Sequence, residues 1–95
     1  MNLEKSKKRI SKKAKAGFKG YPAIAITYYG PNEKLATEVH LEFVAEEGKE
    51  PQVETFTTEN DIREDETIQS VIVKMIERSG ALSVTLSEDV KLKAV

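Results

Sequence analysis

The sequence contains no cysteine. Disulfides, thiolate zinc sites and cysteine nucleophiles are excluded together. The composition fits a reducing compartment, and a cytoplasmic location is the expectation. No apolar run approaches the length of a membrane span, so no membrane partner is expected. The basic start is not followed by the apolar stretch of a secretory signal, and none is expected. His40 is the single histidine, which leaves a histidine-based triad with one candidate and no evident nucleophile beside it. A glycine-rich phosphate loop is missing too, because Gly17 and Gly20 are not followed by the required lysine-serine pair and helix. No internal repeat is evident.

Charge is plentiful but unevenly spread. Residues 1–20 carry Lys5, Lys7, Lys8, Arg9, Lys12, Lys13, Lys15 and Lys19 against Glu4 alone, a balance of +7. Residues 21–95 hold the other seven bases and 15 acids, a balance of −8. The split describes a basic N-terminal arm, residues 1–20, on a single acidic domain, residues 21–95. Leu3, Ile10 and Ala14 make a sparse apolar stripe on the arm. A helix of that length is marginal in water unless something packs against it. Three arrangements stay open for residues 1–16: a frayed tail, a helix docked on the body, or a segment that orders on a partner.

The body is organised around the stretch from Asp61 to Leu86. Ile68, Val71, Ile72, Met75 and Ile76 fall at i, i+3, i+4, i+7 and i+8, one face of an amphipathic helix. Asp61 with Glu64 predicts an acidic capping box, and Gly80 sits where a left-handed terminus is expected. Leu82, Val84 and Leu86 then alternate with serine and threonine, which predicts a strand with one buried face. Upstream, Ala23–Tyr29 is uncharged on both faces and reads as a central strand. Thr37–Ala45 forms an antiparallel hairpin with it. Gln52–Thr58 is a weaker third strand in which Val53 and Phe56 have opposite parity, a mark of a bulge or an edge position. Val90 and Leu92 begin either a short fifth strand or a tail. The expected fold is an α+β two-layer sandwich, β-β-β-α-β, with a four-stranded mixed sheet in the order 3-2-1-4 and an additional N-terminal basic helix.

Gly17-Phe18-Lys19-Gly20-Tyr21-Pro22, Tyr28-Tyr29-Gly30-Pro31, Ala36-Thr37 and Asp61-Ile62-Arg63 together resemble the GYP…YGP…AT…DxR pattern of a small uncharacterised bacterial family. The likeness spans residues 17–87. It implies a fold and no activity, because each motif has the composition of a turn or hinge. The cysteine-containing tail that follows the pattern in that family has no counterpart in these residues, so no metal or redox role is carried over. The strand order also resembles the first half of a ribonuclease H-like fold, which would hold metal ions on carboxylates. Glu66 and Asp89 could stand near two of those positions, but the first strand offers no carboxylate. The resemblance is therefore architectural.

Three groups compete as chemistry. Glu38, His40 and Glu42 lie on one strand face, neighbours about 6.8 Å apart, within reach of a shared metal ion; a solvated face is the preferred explanation, because charged residues normally sit in water. Glu64-Asp65-Glu66 could hold a divalent ion, although a helix N-terminus favours carboxylates without one. Tyr21, Tyr29 and Phe56 could stack single-stranded nucleic acid, or could instead cover the second sheet face together with Ala23, Ala25 and Val44. That face needs a cover, from the N-terminal helix or from a second subunit.

The expected function is non-catalytic, with no cofactor and no metal: a small binding module whose basic arm contacts a polyanion, nucleic acid first and an acidic protein second. One alternative is a homodimeric structural protein with the arm docked on its own acidic body. The other is a carboxylate-based, metal-dependent enzyme of ribonuclease H-like architecture.

Overall fold

The computed structural model describes residues 2–92. Helix α1 (Leu3–Lys15) is followed by strands β1 (Ala23–Gly30), β2 (Glu38–Val44) and β3 (Gln52–Thr57). A single 3₁₀ turn (Ile62–Glu64), helix α2 (Glu66–Ser79) and strand β4 (Ser83–Leu92) complete the chain. The sheet order is β3-β2-β1-β4. β1 pairs antiparallel with β2 and parallel with β4, and β2 pairs antiparallel with β3. The α+β architecture and the mixed sheet are those expected from the pattern.

β1 is central because both of its faces are uncharged. Ile24, Ile26 and Tyr28 are buried under the helices, while Ala23, Ala25, Thr27 and Tyr29 lie half-buried on the other face. β3 is an edge strand and its ladder with β2 runs without a bulge, which answers the parity problem. Phe56 pairs with Val39 and packs on the core; Val53 pairs with Glu42 and is exposed. The irregularity lies in β4 instead. Ile26 pairs with Leu86 and Tyr28 with Val90, so β4 carries two extra residues there. Val90–Leu92 thus continues β4 beside Tyr28–Gly30 and forms no separate strand. The rest of the tail, residues 93–95, lies outside the described residues.

Three local expectations are corrected. Asp61 caps the 3₁₀ turn, its carboxylate accepting from Arg63 N, and Asp65 is the N-cap of α2, accepting from Ile68 N at 2.9 Å. A capping box fits one helix start, whereas the chain makes two starts in five residues. Leu82 is 57% exposed because it precedes β4, and Ser83 is buried in its place. Ser83 is held by a link that crosses it: its Oγ donates to Gly20 O (2.6 Å) and accepts from Lys19 N (2.8 Å). Finally, the buried face of α2 is turned toward Gln69, Ile72, Val73 and Ile76, leaving Ile68, Val71 and Met75 half-buried.

That turn has a cause, which is α1. Of the three arrangements open for residues 1–16, the docked helix is found. α1 packs along α2 and β4 on the same side of the sheet, and Ile10, 2% exposed, joins the core that contains Ile24, Val73 and Ile76. Ser6 is fully buried, its hydroxyl 3.2 Å from that of Ser70 on α2. The flank of α2 that faces α1 is therefore buried in addition to the flank that faces the sheet. No helix of the described residues lies on the second sheet face, so α1 is not its cover.

Candidate anion-binding surface

α1 starts with Asn2, whose side chain accepts from Lys5 N at 2.8 Å, and ends with Lys12, Lys13 and Lys15 at the negative pole of the helix dipole. Because Ser6 and Ile10 face inward, helical geometry turns Lys5, Lys8, Lys12 and Lys15 outward. All four are exposed, and none of their ammonium groups is paired among the described residues. They follow one another at spacings of three, four and three residues, a stripe about 15 Å long at 1.5 Å per residue.

The cations on the flanks of α1 are used differently. Lys7 pairs with Glu64 at 2.8 Å on one side, and Arg9 pairs with Glu77 at 3.2 Å on the other. Both pairs are exposed, and such pairs are worth about 0–1 kcal/mol each. The rotation of the helix is set by the buried Ser6 and Ile10 rather than by these pairs. Lys13 lies on the Arg9 side, against the groove between the helices that Val73 and Ile76 also line. Lys19 is exposed in the link after α1.

The three aromatic rings weighed as a stacking platform or as a cover for the second sheet face fall in three places. Tyr29 lies on the open sheet face with its ring 4.4 Å from that of His40. Phe56 points to the opposite, helix-covered face, as its register with Val39 requires. Tyr21 stays near the basic helix, packed edge-on against Phe18 at 5.4 Å. Phe18 is 69% exposed and was not singled out from the sequence; two aromatics flanking Lys19 were the available signal.

The carboxylates also disperse. Glu38 is buried and bonds His40 Nε2 at 2.5 Å, while Glu42 is exposed beyond them. Glu64 goes to Lys7, Asp65 caps α2, and Glu66 and Asp89 are exposed. Among the described residues no three acidic or histidine side chains are grouped to hold a metal ion.

Next to α1, at the carboxyl end of β1, several short motifs converge. Gly30 passes so close to the Leu35 backbone that a Cβ would come within 1.8 Å of its carbonyl oxygen. Thr37 N donates to Tyr29 O (2.9 Å), Thr58 N to Thr37 O (2.9 Å) and Ile62 N to Ala36 O (2.7 Å). Asp61 takes the Arg63 guanidinium in a fork, from Nε at 3.0 Å and Nη2 at 2.7 Å, and Nη2 also donates to Lys34 O at 3.2 Å. This hydrogen bond, with the guanidinium charge behind it, holds the Asp61 carboxyl below the usual carboxylate range against a smaller opposing effect of burial, and raises Arg63 in turn. Inside the corner, Gln69 donates from Nε2 to the Tyr28 hydroxyl (3.2 Å) and to Ile62 O (3.1 Å). Burial pushes the Tyr28 phenol up, partly offset by the Gln69 hydrogen bond and by the charges of Arg63 and Lys7. Gln69 escaped the sequence reading as a polar residue beside an apolar stripe. Its clue was a Tyr on the inward parity of β1, which needs a buried hydrogen-bond partner.

No family model matches this chain, and no curated protein or solved structure is significantly similar to it. No helix of the described residues is long and apolar enough to cross a membrane.

Proposed function

We propose that the protein is a non-catalytic binding module that takes a polyanion, in the first place nucleic acid, on the outer face of α1. The observation that carries this reading is the stripe of Lys5, Lys8, Lys12 and Lys15, outward-facing and unpaired on a helix whose inner face is locked into the core. The body's own acids take Lys7 and Arg9 and leave the stripe. A row of ammonium groups on a fixed helix meets phosphates with little further ordering cost, unlike a free arm. Phe18 and Tyr21, beyond the basic end of the helix, add an exposed aromatic edge that favours a single strand.

Fluorescence titration of a short oligonucleotide at several salt concentrations tests this. About four neutralised phosphates give a slope of log K against log salt near −3 to −3.5. Replacing Lys5, Lys8, Lys12 and Lys15 by Gln should remove binding and leave the fold intact. A flat salt response, or full binding by that variant, defeats the reading.

A second reading has its own observation. The sheet face of Ala23, Ala25, Thr27, Val44 and Val53 is semi-apolar and lies away from both helices. Assembly of two copies through it predicts a dimer by light scattering that Ala25→Lys reduces to monomer; a monomer at all concentrations disposes of it.

A further inference from the structure

Between α1, the start of α2, the last residues of β1 and the middle of β4 lies a cleft of about 640 Å³, within the size range of small-ligand sites. β4 carries its two extra residues here, just after Leu86. Tyr28 and Gln69 are at its floor, and both are more than nine-tenths buried. The Tyr28 hydroxyl accepts from Gln69, and its own proton has no acceptor among the described residues. Lys7, Lys8 and Arg63 line the walls against one carboxylate, Glu64, which is already bonded to Lys7. Arg63 is held rigid by Asp61 and Lys34 O, and its second terminal nitrogen, Nη1, has no hydrogen-bond acceptor among the described residues. Ile10 and Leu86 supply an apolar side.

Lys7 and Arg63 are already paired with Glu64 and Asp61, so what distinguishes the cleft is its number of donors: the buried phenol, the Lys7 and Lys8 ammonium groups and Arg63 Nη1 exceed what the two oxygens of a carboxylate can take. A carboxylate brings one charge; a phosphate monoester brings about 1.5 to 2 at neutral pH, with three strong acceptor oxygens. We infer that this cleft binds a phosphate monoester. Its oxygens accept from the Tyr28 hydroxyl and from Lys7, Lys8 and Arg63. The esterified group, one bearing hydroxyls such as a ribose, lies along Ile10 and Leu86 with a hydroxyl toward the Gln69 amide oxygen. The chemistry fits a free mononucleotide and the terminal phosphate of a nucleic-acid strand alike. The inference does not rest on polymer binding by α1, because Lys5, Lys12 and Lys15 do not line the cleft.

The test is an NMR titration of the full chain with inorganic phosphate and with a ribonucleoside 5′-monophosphate, following the Gln69 side-chain amide and the Tyr28 ring. Saturable shifts are expected, tighter for the nucleotide, and about tenfold weaker or more in Tyr28→Phe, which keeps the ring in the core. Lys8→Gln should weaken binding as well. The triple variant Lys5→Gln, Lys12→Gln and Lys15→Gln should leave it unchanged, which separates this site from the outer stripe. No saturation by about 10 mM ligand, or equal affinity in Tyr28→Phe, overturns the inference. Competition distinguishes the two sources. Displacement by a 5′-phosphorylated oligonucleotide and not by its 5′-hydroxyl counterpart supports a strand end, and displacement by neither supports a free mononucleotide. Equal displacement by both overturns the monoester assignment.

Discussion

The two helices lie side by side on one sheet face, yet they are held there by different means. α2 buries Ile72, Val73 and Ile76 fully and leaves more apolar surface half-covered around them. α1 buries one isoleucine and one serine, with Ala14 packed at the margin, and adds two exposed ion pairs. α2 is anchored through several buried side chains. α1 is a lid of charge pinned at one apolar point. Its outer face is almost purely cationic, carrying Lys5, Lys8, Lys12 and Lys15.

Alanine at the two anchors should separate the helices most widely. Ile72→Ala is expected to cost about 4 kcal/mol, because the side chain is fully enclosed and its loss leaves a cavity. Ile10→Ala should cost about 2 kcal/mol, a fall in Tm of roughly 8–16 °C for a domain of this size. Thermal melts of both variants check the pair. Equal costs would mean that α1 is as deeply set as α2; no cost at Ile10 would mean that it is undocked in solution.

The corner between the helices ranks next. Asp61→Asn should cost about 1–2 kcal/mol, since Asn keeps a capping oxygen but cannot sustain the charge-assisted fork with Arg63. The pH dependence has a defined sign. Asp61 has a lower pKa folded than unfolded, so its contribution is complete above the unfolded value, about 3.9, and is lost as pH falls through the folded one. Chemical melts between about pH 5 and 2 should lose stability in wild type more steeply than in Asp61→Asn. The smallest effect belongs to the flank of α1: Lys7→Met should change stability by less than about 1 kcal/mol, and any loss should vanish in high salt.

The same contrast explains what was legible in the sequence. The strand order and α2 were, because they rest on apolar periodicity: Ile24 and Ile26 in β1, Ile72 and Ile76 in α2. The docking of α1 was not fixed by its residues, since a serine and one isoleucine carry it, and Ser6 is recognisable as an interface residue only once Ser70 stands opposite. Leu82 misled because alternation marks a face without marking where the strand begins. Among the candidate site residues, the lysines could be named from composition, yet only the inward turn of Ile10 divides Lys5, Lys8, Lys12 and Lys15 from the paired Lys7 and Arg9. The scattering of Tyr21, Tyr29 and Phe56 follows from register, which a single unbulged β3 fixes and which no count of aromatics contains. Tyr28, Gln69 and Arg63 are 41 and six residues apart in sequence order, and their meeting depends on the crossover through α2.

The position of β3 has a consequence for solubility. Its outer edge offers unpaired amide and carbonyl groups to any passing strand. Residues 46–59, which form and flank that edge, hold five acids and one lysine. Two molecules approaching edge to edge would bring both acidic strips together before a single backbone hydrogen bond could form. Sheet growth from copy to copy is thus opposed by repulsion that acts at a distance, and concentrated salt, by shortening that distance, should be the condition under which this protein first aggregates.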